Sequence, residues 1–365
     1  MTIEKHPSKP FLQQNAEMLT ASIGLALLLL TYLCRYSKVM ADAYATKVYP
    51  ALSYVLSWLS SFTNYNLEEF AIAAIAFAVL AIIVMGVKRR WGFVRCLRYE
   101  ATIVLWIYLW FYIGWCTNYT RSNLYERTGT EYAVYDEEKF LAFTHQFAED
   151  INEAWVSIPV DAECVDSIYD ITALEKEIKA FYASVPSGYG LAKPHSWQHP
   201  KRIICNKLFS YVGVQGFMAP LFAESCLNAD ILPFDYPFVY AHEYAHLLGV
   251  SNEAEANWWA YYACASSEDP KVRYSAYKGI LQHVVINAQR LLSEQKFTAL
   301  KSCLRPEVVE DYYNTHMHWK ALRSPMLDVI QSKIYDVFLK SNNVEAGLQN
   351  YTQVVGLLIN IEYAN

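Results

Sequence analysis

In the stretch YAHEYAHLLGVSNEAEANWWAYY, two histidines stand four positions apart, a glutamate follows the first, and two more acids lie beyond a glycine. On a helix, positions four apart sit one above the other, so His242 and His246 present two imidazole nitrogens to a single ion. Glu243, one position further round, reaches a water on that ion without being a ligand itself. The chemistry this division of labour serves is zinc-dependent hydrolysis: the metal acidifies a water and polarises a carbonyl, and the glutamate takes the proton. A catalytic zinc has three protein ligands and one open position, so a third donor is needed.

The continuation supplies it. Gly249 is placed to end the motif helix through a left-handed cap, and Ser251 or Asn252 to N-cap a second helix running back. In that second helix Glu253, Ala256, Asn257 and Ala260 share one face, and the small alanines permit close approach to the first helix. Glu253 is the expected third ligand, with Glu255 as the alternative. Asn257 is expected to hydrogen-bond a ligand side chain and fix its orientation. Each residue also has a plainer reading: two satisfied core histidines, acids favoured by a helix dipole, and a simple polar amide. A bound metal can, moreover, be structural rather than catalytic.

The elements that must carry this motif divide into two parts. Three uncharged runs, about 18–34, 70–87 and 101–116, each approach the ~20 apolar residues that cross a bilayer as a helix. They define a membrane domain over 1–117, followed by an outer domain over 118–365. Lys88, Arg89, Arg90, Arg95 and Arg98 between the second and third runs form the densest cationic cluster, which the positive-inside rule places in the cytoplasm. The outer domain, and the loop from Arg35 to Glu69, then face the other side. The composition agrees: 54% hydrophobic, 18% charged, and rich in Tyr (29) and Trp (10), which favour membrane interfaces. A net charge of −6 argues against nucleic acid as a partner. Of the cysteines, 164, 205, 226, 264 and 303 fall in the outer part with no CxxC spacing, and their odd number leaves a thiol unpaired.

The outer part reads as mainly helical, with apolar periodicity over Glu137–Trp155, Ala173–Ala183, Val272–Ser293, Pro306–Arg323, Met326–Leu339 and Val344–Tyr363. Ser184–Pro200 reads as loop, and Phe209–Pro233 as short strands including an extended edge beside a cleft. Glu224 in this stretch is either a cleft residue or a structural acid. His283, His316, His318, Tyr274 and Tyr351 are candidates for stabilising an oxyanion, with no one of them singled out.

At the motif the chain resembles an uncharacterised bacterial family of membrane proteins, domain-of-unknown-function family 3810, whose pattern is HExxHxxGxxxExEAN after three N-terminal spans. CTNYTR (Asn118, Tyr119, Arg121), FSYVGVQGFMAPLFAES and FLKSNNVEAGLQNYTQVVGLL resemble its recurring segments. More distantly, Glu253, Ala256 and Asn257 resemble the ExxAN helix of gluzincin metallopeptidases, in which the first glutamate binds zinc. The His246–Glu253 gap is shorter than in most gluzincins and nearer the metzincin spacing, with Asn252 where metzincins have a histidine. The resemblance implies a mostly helical, zincin-like extracytoplasmic domain with a few short strands, held by three helices in a bacterial inner membrane. The expected activity is that of a zinc metallopeptidase cleaving peptides or proteins. The alternative is a non-catalytic membrane-anchored receptor or scaffold that keeps the metal-binding fold.

Overall fold

The structure is a computed structural model that describes residues 11–132, 135–159, 169–341 and 353–361. Helix α1 (Phe11–Tyr36) leads through α2 (Lys38–Ala43) and a π-helical turn, Tyr44–Val48, into α3 (Tyr49–Ser60). Helices α4 (Leu67–Lys88) and α5 (Phe93–Gly114) follow, joined by four residues. Both are long and apolar enough to cross a membrane, and little of either is buried inside the protein. The first apolar run does not give a third straight span on the same footing. The stretch Ser22–Tyr36 of α1 qualifies only as one limb of a pair bent by 109° against Lys38–Ser60. The stretch expected as a loop from Arg35 to Glu69 is thus largely helical.

The start of α4 is fixed from two directions. Asn66 caps it by accepting from the Glu68 and Glu69 amides, and Glu224 Oε2 accepts from the Leu67 amide at 2.9 Å. The carboxylate of Glu68 in turn accepts from the Leu221 amide, and Trp110 Nε1 of α5 donates to the Leu221 carbonyl. The turn at 220–223 is therefore gripped by the start of α4 and the end of α5.

Beyond α5 come α6 (Leu124–Thr128), α7 (Glu137–Val156) and α8 (Ile171–Ser184), then β1 (Lys201–Arg202), α9 (Asn206–Tyr211), β2 (Gly216–Ala219) and β3 (Glu224–Leu227). The remainder is helical: α10 (Tyr236–Leu247), α11 (Glu253–Ala265), α12 (Pro270–Leu291), α13 (Glu294–Cys303), α14 (Pro306–Leu322), α15 (Pro325–Ser341) and α16 (Val354–Asn360). Every helix expected in the outer part is found, except that only the end of Val344–Tyr363 is described. The extra helix α13 lacks a strong apolar stripe, burying Leu300 alone.

The core is built by α10, α11 and α12 with α7 and α8 packed around them. Trp258, Trp259, Tyr182, Tyr240 and Tyr244 are fully buried within it. Such large side chains remove much apolar area from water, and Tyr182 satisfies its hydroxyl on the Ala241 carbonyl at 2.8 Å. The small sheet has the order β1-β3-β2, with β1 parallel and β2 antiparallel to β3. The expected edge strand is β2. β3, which carries Glu224, is central, so Glu224 is a structural acid capping α4 and pairing with Lys201. Among the described residues the cysteines are free; Cys164 lies outside them.

Candidate metal centre

Helix α10 opens with Pro237 in its first turn, where the missing amide is harmless, and is buried on nearly all sides. It ends in a Schellman turn. The Gly249 amide donates to the His246 carbonyl and the Val250 amide to the Ala245 carbonyl, with Gly249 at φ 97°. Asn252 then caps α11, its side chain accepting from the Glu255 amide. Ala256 and Ala260 on α11 are completely buried, and their small size brings the two helices close.

That approach brings three donor atoms together. His242 Nε2 and His246 Nε2 are 3.0 Å apart, and each is 3.3 Å from Glu253 Oε2. It is the one such cluster of three or more among the described residues. Donors held about 2.0–2.1 Å from a tetrahedral ion stand about 3.3 Å from one another, so this triangle fits zinc coordination. The tautomer fits as well. His246 Nδ1 lies 2.6 Å from the Val250 carbonyl, to which it donates, so Nε2 is the ring nitrogen turned toward His242 and Glu253. Two imidazole nitrogens this close need a proton or a metal cation between them. The side chains of His242, His246 and Glu253 are 12%, 9% and 6% exposed, so the cluster opens on the His242 side.

The electrostatics favour a positive charge here. Burial works against a charged His246, but the Glu253 and Glu243 carboxylates and the Val250 carbonyl raise its pKa to about 9. For Glu253, burial is outweighed by His246 and by hydrogen bonds from both histidines, which hold its carboxyl well below the usual range. Glu243 behaves differently: burial raises its pKa despite the two histidines. Its Oε2 is buried without a hydrogen-bond partner, the state of a carboxylate awaiting a proton or a polar ligand.

Segments far away in sequence hold this geometry. Trp115, at the end of α5, packs edge-on against His246 with ring centroids 6.1 Å apart. The Tyr49 hydroxyl donates to the Leu247 carbonyl at 2.8 Å, and Arg121 bridges the Gly249 and Gly190 carbonyls. Tyr119 is near enough that burial and the Glu253 charge both raise its hydroxyl pKa, keeping it a donor. These contacts cross the boundary drawn at residue 117. On the other side, Gly216 opens the edge strand β2 directly over Glu243, and a Cβ there would lie 2.6 Å from Glu243 Cγ.

The other sequence candidates separate cleanly. Glu255 turns away from the donors, forming a buried ion pair with Arg127 and accepting from Trp259 Nε1 at 3.2 Å. Asn257 faces His283 Nε2 at 3.4 Å, so the contact that orients a ligand comes from the Val250 backbone. Burial and the nearby His242 lower the His283 pKa to about 4, keeping it neutral beside the cluster. Tyr274 is occupied by Asp311 and His318 by the Asp230 carbonyl; His316 is exposed. Tyr351 lies outside the described residues. Sequence reasoning missed Trp115, Tyr49 and Val250 as supports of the site. No periodicity or local motif in the sequence marks these three residues.

The fold and the cluster together define a mainly helical protein with two potential membrane-crossing helices and a buried His-His-Glu group able to bind a metal. The chain belongs to the family described as protein of unknown function (DUF3810), which matches residues 44–359. No curated protein and no solved structure matches it.

Proposed function

We propose that this protein is a membrane-anchored zinc metallopeptidase that hydrolyses peptide bonds on the outer side of a bacterial inner membrane. In this reading α4 and α5 cross the bilayer, the bent pair of α1 with α3 supplies the third membrane element, and Lys88, Arg89 and Arg90 mark the cytoplasmic side. The observation that carries the proposal is the triangle of His242, His246 and Glu253 donors with the partnerless carboxylate oxygen of Glu243 beside it.

His242, His246 and Glu253 would hold the zinc. When bound, zinc would supply an acidified water and a positive charge for the substrate carbonyl oxygen. The chain's own part is positioning and proton transfer. An extended peptide lies along the outer edge of β2, which pairs with no other strand than β3 among the described residues. Glu243, its proton affinity raised by burial, accepts a proton as the nucleophile forms and delivers it to the leaving amine. Val250 keeps His246 in the tautomer that offers Nε2.

Glu243→Gln tests the reading. The variant should retain metal and lose hydrolysis of a peptide library by at least about a hundredfold. Undiminished hydrolysis would remove Glu243 as the base. Metal and peptide binding with no hydrolysis even in the parent would favour the receptor or scaffold reading.

A further inference from the structure

The His-His-Glu cluster stands where α5 ends. Trp115, the next residue after that helix, is the one that packs on His246. The uncharged run 101–116 rises about 24 Å at 1.5 Å per residue, less than the ~30 Å of a hydrocarbon core. No part of α5 is then left to lift the cluster clear of a bilayer. On α4 the uncharged run begins at Phe70, just after Glu68 and Glu69. The Glu68 carboxylate takes the Leu221 amide, and the Glu69 carboxylate takes the amides of Ile204 and Cys205.

Strand β2 runs into the same place. Its last residue, Ala219, leads to Pro220, whose carbonyl oxygen lies 3.1 Å from where a Cβ on Gly114 would stand, and to Leu221, held by Trp110 and Glu68. Its first residue, Gly216, lies over Glu243. At about 3.3 Å per residue, Gly216 and Ala219 are about 10 Å apart along the strand. A peptide paired with β2 therefore has one end at the start of α4 and the end of α5, and reaches Glu243 about four residues further on.

The way from α4 to that edge is lined with exposed apolar residues. Phe70 meets Tyr65 with ring centroids 6.5 Å apart, and Tyr65 pairs with Arg202 in an isolated bridge. Ile204 follows, then Leu208 and Tyr211 on α9, all exposed like Tyr65 and Phe70. Helix α9 is tied to β2 by Phe209, which stacks on Phe217 with ring centroids 5.0 Å apart. Exposed aromatic and apolar residues in such a band suit the boundary between bilayer and water.

We infer that the substrate is a membrane-tethered polypeptide, cut within about ten residues of the point where it leaves the bilayer. The β2 edge takes that segment from the membrane surface along Ile204, Leu208 and Tyr211. The inference rests on the proposed membrane-anchored peptidase and names its substrate class. A folded soluble domain, about 30 Å across, is kept from an edge this close to the bilayer by its own bulk, whereas a chain emerging beside α4 and α5 passes it within a few residues.

The test uses the full-length chain in phosphatidylcholine vesicles supplied with zinc. Peptides carry a randomised cassette of about six residues, either untethered or joined to a diacyl lipid through a glycine-serine spacer of about 3 or about 30 residues, at equal surface density. The short tether is expected to be cut about tenfold faster than the long one, and the untethered peptide slowest. A site standing tens of Å off the bilayer gives the reverse order, because a short spacer cannot span the gap. Binding is read separately in Glu243→Gln, by photocrosslinking from a benzophenone in the cassette, and should follow the same order. Leu208→Glu should lower the ratio of short-tether to untethered labelling severalfold. Equal cutting of the two tethered peptides, faster cutting of the long one, or an untethered peptide cut as fast as either would overturn the substrate class and leave the peptidase reading standing. No cutting of any cassette, with parent and Glu243→Gln alike, would remove both.

Discussion

Substituting Gly216 by alanine perturbs the proposed base without touching a metal donor. The added Cβ would stand 2.6 Å from Glu243 Cγ, 2.8 Å from Oε1 and 2.9 Å from Cδ. Carbon atoms pack at about 3.5–4.0 Å, so the glutamate or the strand must give by about 1 Å. Gly216 does not have positive φ, so the backbone itself accepts alanine, and the expected cost is overpacking alone, about 1–3 kcal/mol. A displacement of that size at a reacting group is also expected to cost about a hundredfold in rate. Two assays check this. Urea unfolding of the metal-loaded chain measures the stability loss, and peptide-library hydrolysis measures the rate. Shortening the base relieves the clash, so Gly216→Ala should destabilise the Glu243→Asp variant much less than the parent, giving a coupling above about 0.5 kcal/mol. A Gly216→Ala variant with parental stability, no coupling to Glu243→Asp and full hydrolysis would refute the packing of β2 over Glu243.

Three further outcomes follow from the site. Arg127→Met strands the Glu255 carboxylate in a site where both side chains are under 10% exposed, and should cost about 3–5 kcal/mol in denaturant unfolding while the folded fraction keeps its metal. In the metal-free protein the His246 pKa is raised from 6.5 to about 9, so its stabilising contribution is complete below its unfolded value and is lost as pH rises through about 9. Zinc must displace that proton, so its apparent affinity, read by chelator competition, should fall about tenfold per pH unit below about 9. Tyr49→Phe removes a buried hydrogen bond to the Leu247 carbonyl and should lower stability by about 1–2 kcal/mol, with zinc dissociating faster from the loosened helix end.

The local half of the centre was legible in the sequence because it is governed by short periods. His242 and His246 are one helical turn apart, Gly249 takes the left-handed turn, Asn252 caps the next helix, and Glu253 follows on the inward face. Glu253 and Glu255 were harder to separate. What distinguishes them is Arg127, which claims Glu255 from 128 residues away, and no periodicity within the motif contains that fact. The supports of the site were hidden for the same reason: Tyr49 reaches Leu247 across 198 residues, and Trp115 meets His246 only after the chain has folded back. Helix α3 escaped notice because its buried face carries serines and its exposed face carries apolar residues, the reverse of the pattern that marks a soluble amphipathic helix. Glu224 was ambiguous because an acid in a strand and an acid capping a distant helix look identical in sequence.

Whether His242, His246 and Glu253 bind zinc decides the peptidase proposal. The most direct test is the metal content of the full-length chain in detergent, measured beside His246→Ala, Glu253→Ala and Glu255→Gln. About one zinc per chain is expected, lost in the first two variants and retained in the third. A folded parent that takes up no zinc on resupply, or a Glu253→Ala variant that holds it as tightly as the parent, would contradict it.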